Sequence, residues 1–99
     1  MVLEHAILDI IPGKESLFEA AFAEAKALIS TSPGFVSLRL QSCVERPNRY
    51  LLLVRWERLQ DHTEGFRASP AYNEWTQLLH HFYEPFPTVE HFNSMFEEG

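Results

Sequence analysis

A histidine and an arginine five positions apart are the residues best suited to proton and anion chemistry in this chain. His62 can accept a proton with little tuning, since an unperturbed imidazole titrates near pH 6.5. Arg67 carries a planar guanidinium that can hold a carboxylate or oxyanion through paired hydrogen bonds. The pair predicts a catalytic site with His62 as general base and Arg67 as anion holder. Two structural roles compete with this interpretation: a His62 bonded to nearby backbone, and an Arg67 ion-paired with Glu64 or Glu74.

Aromatic side chains follow this pair at helical spacing. Steps of three, four and three, typical of one helix face, connect Tyr72, Trp75, Leu79 and Phe82. Tyr72 and Trp75 can stack on a flat substrate and donate hydrogen bonds to it, with Phe66 beside them. A stripe of this kind also packs in protein cores. The pattern therefore predicts either an aromatic-lined substrate pocket or a buried helix face.

Four further histidines fall into two pairs. His5 and His91 each follow a glutamate, in the first and last segments with strand character, so one sheet could bring both rings, with or without Asp9, to a substrate cavity. Two strand histidines with ordinary polar partners are the alternative. His80 and His81 are adjacent on a predicted helix, where side chains diverge by about 100°. We therefore predict no metal site.

The composition excludes several classes of function. The net charge is −6, and the eight Lys and Arg residues are scattered, which argues against nucleic acid as a partner. Cys43 is the only cysteine, so it forms no internal disulfide and is either a small half-buried side chain or a reactive thiol. No apolar stretch approaches 18 residues and no signal-like start is present. We expect a single domain over residues 1–99, cytoplasmic and without membrane contact.

The elements that must position these residues follow from apolar periodicity. Strand patterns cover 2–11, 35–44, 49–56 and 88–92, whereas helical patterns cover 14–30, 60–68 and 69–83. Ser69 and Pro70 mark a helix start, because serine is a favoured N-cap and proline is tolerated at the first helical position. Prolines at 85 and 87 end the last helical segment.

The order strand, helix, strand, strand, helix pair, strand predicts an α+β domain of the ferredoxin-like split βαβ type. Such a domain has a four-stranded antiparallel sheet with helices on one face. The first and third strands have few polar positions in either row, so the open face needs a cover. A second copy of the sheet supplies one, and we predict a homodimer through the sheet faces.

Several segments resemble the antibiotic-biosynthesis-monooxygenase domain. They are the strand that ends at Trp56, the helix entered through 62–67, the Ser-Pro-Ala-Tyr-Asn-Glu-Trp run at 69–75, and the closing segment 89–92. The resemblance implies a dimeric α/β barrel. Members of the family oxidise aromatic polyketides or quinols without metal or flavin, or open the haem ring. It therefore implies a cofactor-independent monooxygenase for an aromatic or quinol-type substrate, or a non-catalytic module that binds a small hydrophobic molecule.

The chain departs from the best-known sites of that family. The haem-degrading branch uses an Asn, a Trp and a His where this sequence has Ala6, Gly65 and Thr76, which disfavours haem degradation. Relatives that act on quinols commonly carry a histidine at the position of Phe66, and here His62 lies one helical turn earlier. The resemblance therefore predicts the scaffold more firmly than the reaction.

Overall fold

The chain folds in the predicted order of strands and helices, as a computed structural model shows for residues 1–99. The strands are β1 (Val2–Asp9), β2 (Phe35–Ser42), β3 (Arg49–Trp56) and β4 (Val89–Phe92). The helices are α1 (Glu15–Ser30), α2 (Asp61–Phe66) and α3 (Pro70–Leu79), followed by a 3₁₀ turn at His80–Phe82. None of these helices has the length and apolarity that crossing a bilayer would demand.

The four strands form one antiparallel sheet in the order β2-β3-β1-β4. β1 lies between β3 and β4, and Glu4 is opposite Val54 on one side and His91 on the other. The predicted hairpin of β2 and β3 is present, with an irregular register between Phe35 and Ser37. The α+β ferredoxin-like fold is confirmed. β3 and β1 are therefore the two central strands of the sheet.

The even-numbered row of β1 faces the helices. Its members are buried, and they lie beside the buried even row of β3, which ends at Trp56. This face and the helices enclose the core, which includes Phe18, Phe22 and Ile29 of α1. The odd-numbered row, including His5 and Asp9, lies on the opposite, open face because successive strand side chains alternate.

The segment before α3 is a single π-helical stretch rather than an ordinary helix. The backbone N–H of Arg67 donates to the carbonyl oxygen of His62, five residues earlier, at 3.1 Å. His62 and Phe66 of α2 are both buried, and Arg67 follows at its end with an exposed side chain. π-Helical turns are rare and recur at functional sites.

α3 starts as predicted. The Oγ of Ser69 accepts a hydrogen bond from the backbone N–H of Tyr72 at 3.3 Å, and Pro70 occupies the first helical position. A cap of this type stabilises a helix by about 1 kcal/mol. The helix ends at Leu79 and tightens into the 3₁₀ turn, so α3 is shorter than the predicted segment 69–83. Trp75 and Leu79 point into the core.

Candidate active site

A cavity of about 370 Å³ lies between the even face of the sheet and the helices. This volume falls in the lower part of the range of about 300–1,000 Å³ that is usual for small-molecule sites. Ten of its fifteen lining residues are hydrophobic. The ionisable side chains among the other five are Glu4, His62, Arg67 and His80, and two of the hydrophobic residues, Tyr72 and Tyr83, add hydroxyl groups. The cavity is thus an apolar chamber with a small set of groups that can exchange protons.

Five of the residues singled out in the sequence line this one cavity. His62 and Phe66 come from α2, Arg67 follows that helix, and Tyr72 and Trp75 come from α3. Trp75 also belongs to the core and Tyr72 packs against it. These two members of the aromatic stripe therefore serve both the pocket and the core. The rings of Tyr72 and Trp75 lie at the boundary between core and cavity, so they form part of the cavity wall.

Glu4 is the site residue that the sequence interpretation missed. It is one of two buried polar residues, with 4% of its surface exposed, and the other is His62 with 3%. A signal was available, since Glu4 is the single charged residue in the row formed by Val2, Ala6, Leu8 and Ile10. A carboxylate in a buried row is costly without hydrogen-bond partners and is therefore a marker of a functional site.

Two side chains contact the Glu4 carboxyl group, and a third extends these contacts into a chain. Trp56 Nε1 donates a hydrogen bond to Glu4 Oε1 at 3.0 Å. His62 Nε2 lies 3.3 Å from the same oxygen. His62 Nδ1 is 2.8 Å from His91 Nε2. We refer to Glu4, His62 and His91 as the Glu-His-His chain.

The Glu-His-His chain is linear rather than convergent. The two ring nitrogens of His62 point to different partners, the carboxyl group on one side and His91 on the other. No group of three or more His, Cys, Asp and Glu side chains is arranged so that it could hold a metal ion. The three side chains therefore form a linear series of polar contacts.

Burial is the largest influence on the pKa values of the Glu-His-His chain. It raises the pKa of Glu4 to about 7, although the Trp56 hydrogen bond and the positive charge of Arg67 oppose the rise. It lowers the pKa of His62 to about 3, and the charges of Arg67 and His91 act in the same direction. Burial also lowers the pKa of His91, with Arg67 adding to the effect. Both imidazoles are therefore neutral at pH 7, where the carboxyl group is near its midpoint.

Aromatic packing fixes the position of His62. Its ring stacks on Trp56, with centroids 5.3 Å apart and planes inclined by 17°. The ring centroid of Phe66 lies 6.5 Å from that of His62, and the two planes are inclined by 26°. Trp56 therefore both supports His62 and donates to Glu4, which holds the carboxyl group and the imidazole in a fixed relative geometry.

Tyr83, His80 and Phe86 add a second aromatic group to the cavity wall. The ring centroids of His80 lie 5.6 Å from Tyr83 and 5.0 Å from Phe86. Burial and the nearby Glu4 raise the pKa of the Tyr83 hydroxyl, so it stays protonated and can act as a hydrogen-bond donor. Burial lowers the pKa of His80 as well. Sequence reasoning considered His80 only as a metal ligand and missed this placement.

Arg67 and His62 do not make the structural contacts that competed with their predicted roles. Arg67 forms no ion pair within 4.0 Å, so the alternatives of a pair with Glu64 or Glu74 are absent. Its exposed guanidinium lies at the cavity instead. The ring of His62 bonds to His91 rather than to backbone.

His5 does not reach the cavity. The strand register places it opposite Glu90, whereas His91 is opposite Glu4, so the two histidines lie on different faces of the sheet. The ring of His5 packs edge-on against Phe92, 5.5 Å away, on the open face. The expectation that His5 and His91 approach one cavity is therefore wrong. Both rows of β1 are mainly apolar, and the prediction favoured the row that faces away from the helices.

Comparisons with known proteins agree with this fold. A family model described as antibiotic biosynthesis monooxygenase matches residues 1–78. The uncharacterized Bacillus subtilis protein YczJ is 54% identical over 95 residues, which cover 96% of this chain and 100% of YczJ. The family match ends before the 3₁₀ turn and β4, so His80, Tyr83 and His91 lie beyond it.

Two solved structures are similar over nearly the whole chain. A candidate antibiotic biosynthesis monooxygenase from Bordetella bronchiseptica is 33% identical, with a TM-score of 0.90 over 96% of this chain and 97% of that one. SnoaB, a cofactor-independent oxygenase from Streptomyces nogalater, is 22% identical, with a TM-score of 0.79 over 97% and 94% of the two chains. At the lower identity the likeness concerns the fold alone.

The ionisation of Glu4 predicts a change of stability with pH. Its carboxyl group titrates at its ordinary pKa of 4.5 when unfolded, but at a pKa raised to about 7 in the native state. Its contribution to stability is therefore complete below pH 4.5 and is lost as the pH rises through 7. The free energy of unfolding of the wild type, minus that of Glu4→Gln, should fall by about 3 kcal/mol across this window.

Urea unfolding across this pH range measures both free energies. Subtracting the variant cancels the opposing contribution of His62, whose lowered pKa makes the native state gain stability as pH rises. Glu24→Gln removes an exposed carboxylate on α1, away from the cavity and from the open sheet face, and is the matched control. A wild-type minus Glu4→Gln difference that stays constant with pH would contradict the account of a buried carboxyl group.

Proposed function

Because the chain belongs to the antibiotic biosynthesis monooxygenase family, we propose that it is a cofactor-independent oxygenase that oxidises an aromatic, quinol-type substrate in the cavity between sheet and helices. The observation that carries the proposal is the buried Glu4 carboxyl group with a pKa of about 7, in contact with a neutral His62 inside an aromatic-walled cavity. The oxygenase activity that SnoaB's name records supports the reaction class.

The first step is removal of the substrate's hydroxyl proton. We assign the accepting atom to a Glu4 oxygen rather than to His62, because the lowered pKa of His62 makes that imidazole a weak base on its own. His62, whose Nε2 lies 3.3 Å from Glu4 Oε1, holds the carboxylate in place through this polar contact. A base whose pKa lies near the working pH transfers protons efficiently in both directions.

The substrate anion then supplies the electrons for oxygen activation. One electron passes from the anion to O₂, and the resulting substrate radical and superoxide combine to form a carbon–oxygen bond. The peroxide takes back the proton from Glu4, and loss of water through cleavage of the O–O bond leaves a carbonyl group. The substrate loses two hydrogens and gains one oxygen, while the other oxygen atom leaves as water.

Negative charge on the substrate needs stabilisation inside an apolar cavity. The Arg67 guanidinium lies at the cavity and forms no ion pair within the protein, so it is free to hold an oxyanion. The protonated Tyr83 hydroxyl offers a neutral donor. Phe66, Tyr72 and Trp75 provide flat surfaces for the ring system. Preorganised donors of this kind stabilise an anion more strongly than water does.

Oxygen consumption with an anthrone or a hydroquinone tests the proposal. Glu4→Gln should lower kcat by about 100-fold or more, since a general base commonly contributes about 10²- to 10⁴-fold. His62→Ala should also lower it, because the carboxylate loses its orienting partner. Glu24→Gln, an exposed carboxylate on α1, is the control for both. Full turnover by Glu4→Gln would show that Glu4 is not the base. Full turnover by His62→Ala would show that the base does not need its contact with His62.

A non-catalytic ligand-binding role is the second candidate, and the absence of the haem-branch and quinol-branch side chains at Ala6, Gly65, Phe66 and Thr76 favours it. Thermal unfolding in the presence of the same compounds separates the two. A bound compound raises the melting temperature whether or not chemistry follows. Stabilisation without oxygen consumption would support the binding role.

We also propose that two copies of the chain pack through the open sheet faces. This face carries Leu3, Ile7, Leu51 and Leu53, with Phe92 beside them, and Ile7 and Phe92 are 42% and 48% exposed. Apolar side chains concentrated on one flat face are typical of an interface. In this arrangement His5 is an interface residue rather than a substrate ligand.

Light scattering of the purified protein tests the dimer. The wild type should have twice the mass of one chain, and Leu53→Glu should have the mass of one chain, because it introduces a charge at the centre of the proposed interface. Leu17→Glu places the same charge on the exposed side of α1 and should leave the dimer intact. A wild-type protein that stays monomeric at high concentration would contradict the proposed interface.

A further inference from the structure

We propose that His62 and His91 form a proton path that connects Glu4 to solvent at the outer edge of β4, on the far side of the cavity wall. Through this path the carboxyl group can exchange its proton with water while a substrate fills the cavity. The inference rests on the proposed role of Glu4 as proton acceptor, and it adds a route that is separate from the substrate's entrance.

The positions of the three side chains support a passage through the wall. Glu4 and His62 line the cavity, but His91 does not. His91 lines a different depression on the surface, together with Met1, Glu57 and Arg58, and the two sites have no lining residue in common. His91 is half-buried. The 2.8 Å contact between the two histidines therefore joins an interior site to an exterior one.

The donors and acceptors along the chain fit together in one order. Trp56 Nε1–H can only donate, so Glu4 Oε1 accepts. With Glu4 ionised, the proton of His62 is best placed on Nε2, which faces the carboxylate. Nδ1 of His62 then accepts from Nε2–H of His91. Each imidazole carries one proton and is neutral, which suits rings buried beside Arg67.

The transfer itself moves one proton at each link. When Glu4 is protonated, its O–H bond breaks as an N–H bond forms at His62 Nε2. The N–H bond at His62 Nδ1 breaks as one forms at His91 Nε2, and the proton on His91 Nδ1 passes to water. Both rings are neutral before and after, and the carboxyl group is left ionised. No oxidant or cofactor takes part.

At neutral pH such a route would return protonated Glu4 to the ionised form that can accept a proton. A carboxyl group with a pKa of about 7 is protonated in about half of the molecules, and these cannot accept a proton from a substrate. A substrate against the apolar walls would exclude water from the cavity side. The charged groups around the path are Arg67 at the cavity and Glu57 and Arg58 at the outer depression, with the neutral Tyr83 on the cavity side.

A laser-induced pH jump, followed by time-resolved infrared spectroscopy of the protonated carboxyl band, tests the path without any substrate. Glu4→Gln assigns the band. His91→Ala should slow the relaxation of this band by about tenfold or more, since removal of a proton shuttle leaves only the cavity route. Added imidazole should restore the rate by occupying the vacated surface site. His81→Ala, which removes an exposed histidine outside both sites, is the control.

Each outcome decides the proposal. A slow relaxation that imidazole restores supports the path and shows that the variant is folded. An unchanged relaxation in His91→Ala would mean that protons reach Glu4 through the cavity, and would overturn it. A slow relaxation that imidazole does not restore would assign His91 a purely structural role and would also overturn it. Because the test uses no substrate, its result does not depend on whether the protein consumes oxygen.

Discussion

The burial of one carboxyl group in an apolar strand row governs the candidate site. Glu4 lies between Val2 and Ala6 in the row of β1 that faces the helices, where an uncompensated polar group would cost several kcal/mol. Trp56 and His62 meet that requirement, and His91 in turn satisfies the second nitrogen of His62. These partners come from β3, α2 and β4. The contacts around one carboxyl group therefore connect strands and a helix from distant parts of the chain.

The same side chains also serve the core and the site. Trp56 is fully buried, stacks on His62 and donates to Glu4, while Trp75 packs in the core and faces the cavity. Packing of this density leaves little freedom for the reacting groups to move. The π-helical turn places His62 and Phe66 on the cavity and leaves Arg67 exposed beside it. Fixed positioning of this kind is what the proposed cofactor-independent reaction would require.

Much of the fold followed from sequence because local signals were strong. The order of elements, the Ser69 cap and the hairpin between β2 and β3 depend on periodicity and turn residues, and all are present. Tyr72 and Trp75 of the predicted helical stripe line the cavity, as does Phe66, which was predicted beside them.

The polar centre of the site could not be derived in this way. Both rows of β1 carry apolar residues together with ionisable ones, so alternation alone did not decide whether Glu4 or His5 faces the helices. The choice depends on which row meets α2 and α3, a tertiary contact. Likewise, the His62–His91 contact joins residues 29 positions apart. The lowered and raised pKa values follow from that burial and were invisible in the composition.

We expect Glu4 to exchange its proton near neutral pH within the apolar cavity. Carbon-13 NMR of protein labelled at the glutamate side-chain carboxyl groups, with Glu4 assigned by its absence in Glu4→Gln, measures this directly. The Glu4 signal should titrate with a midpoint near pH 7, in line with a pKa raised to about 7 by burial. A Glu4 midpoint at the ordinary value of 4.5 would contradict it.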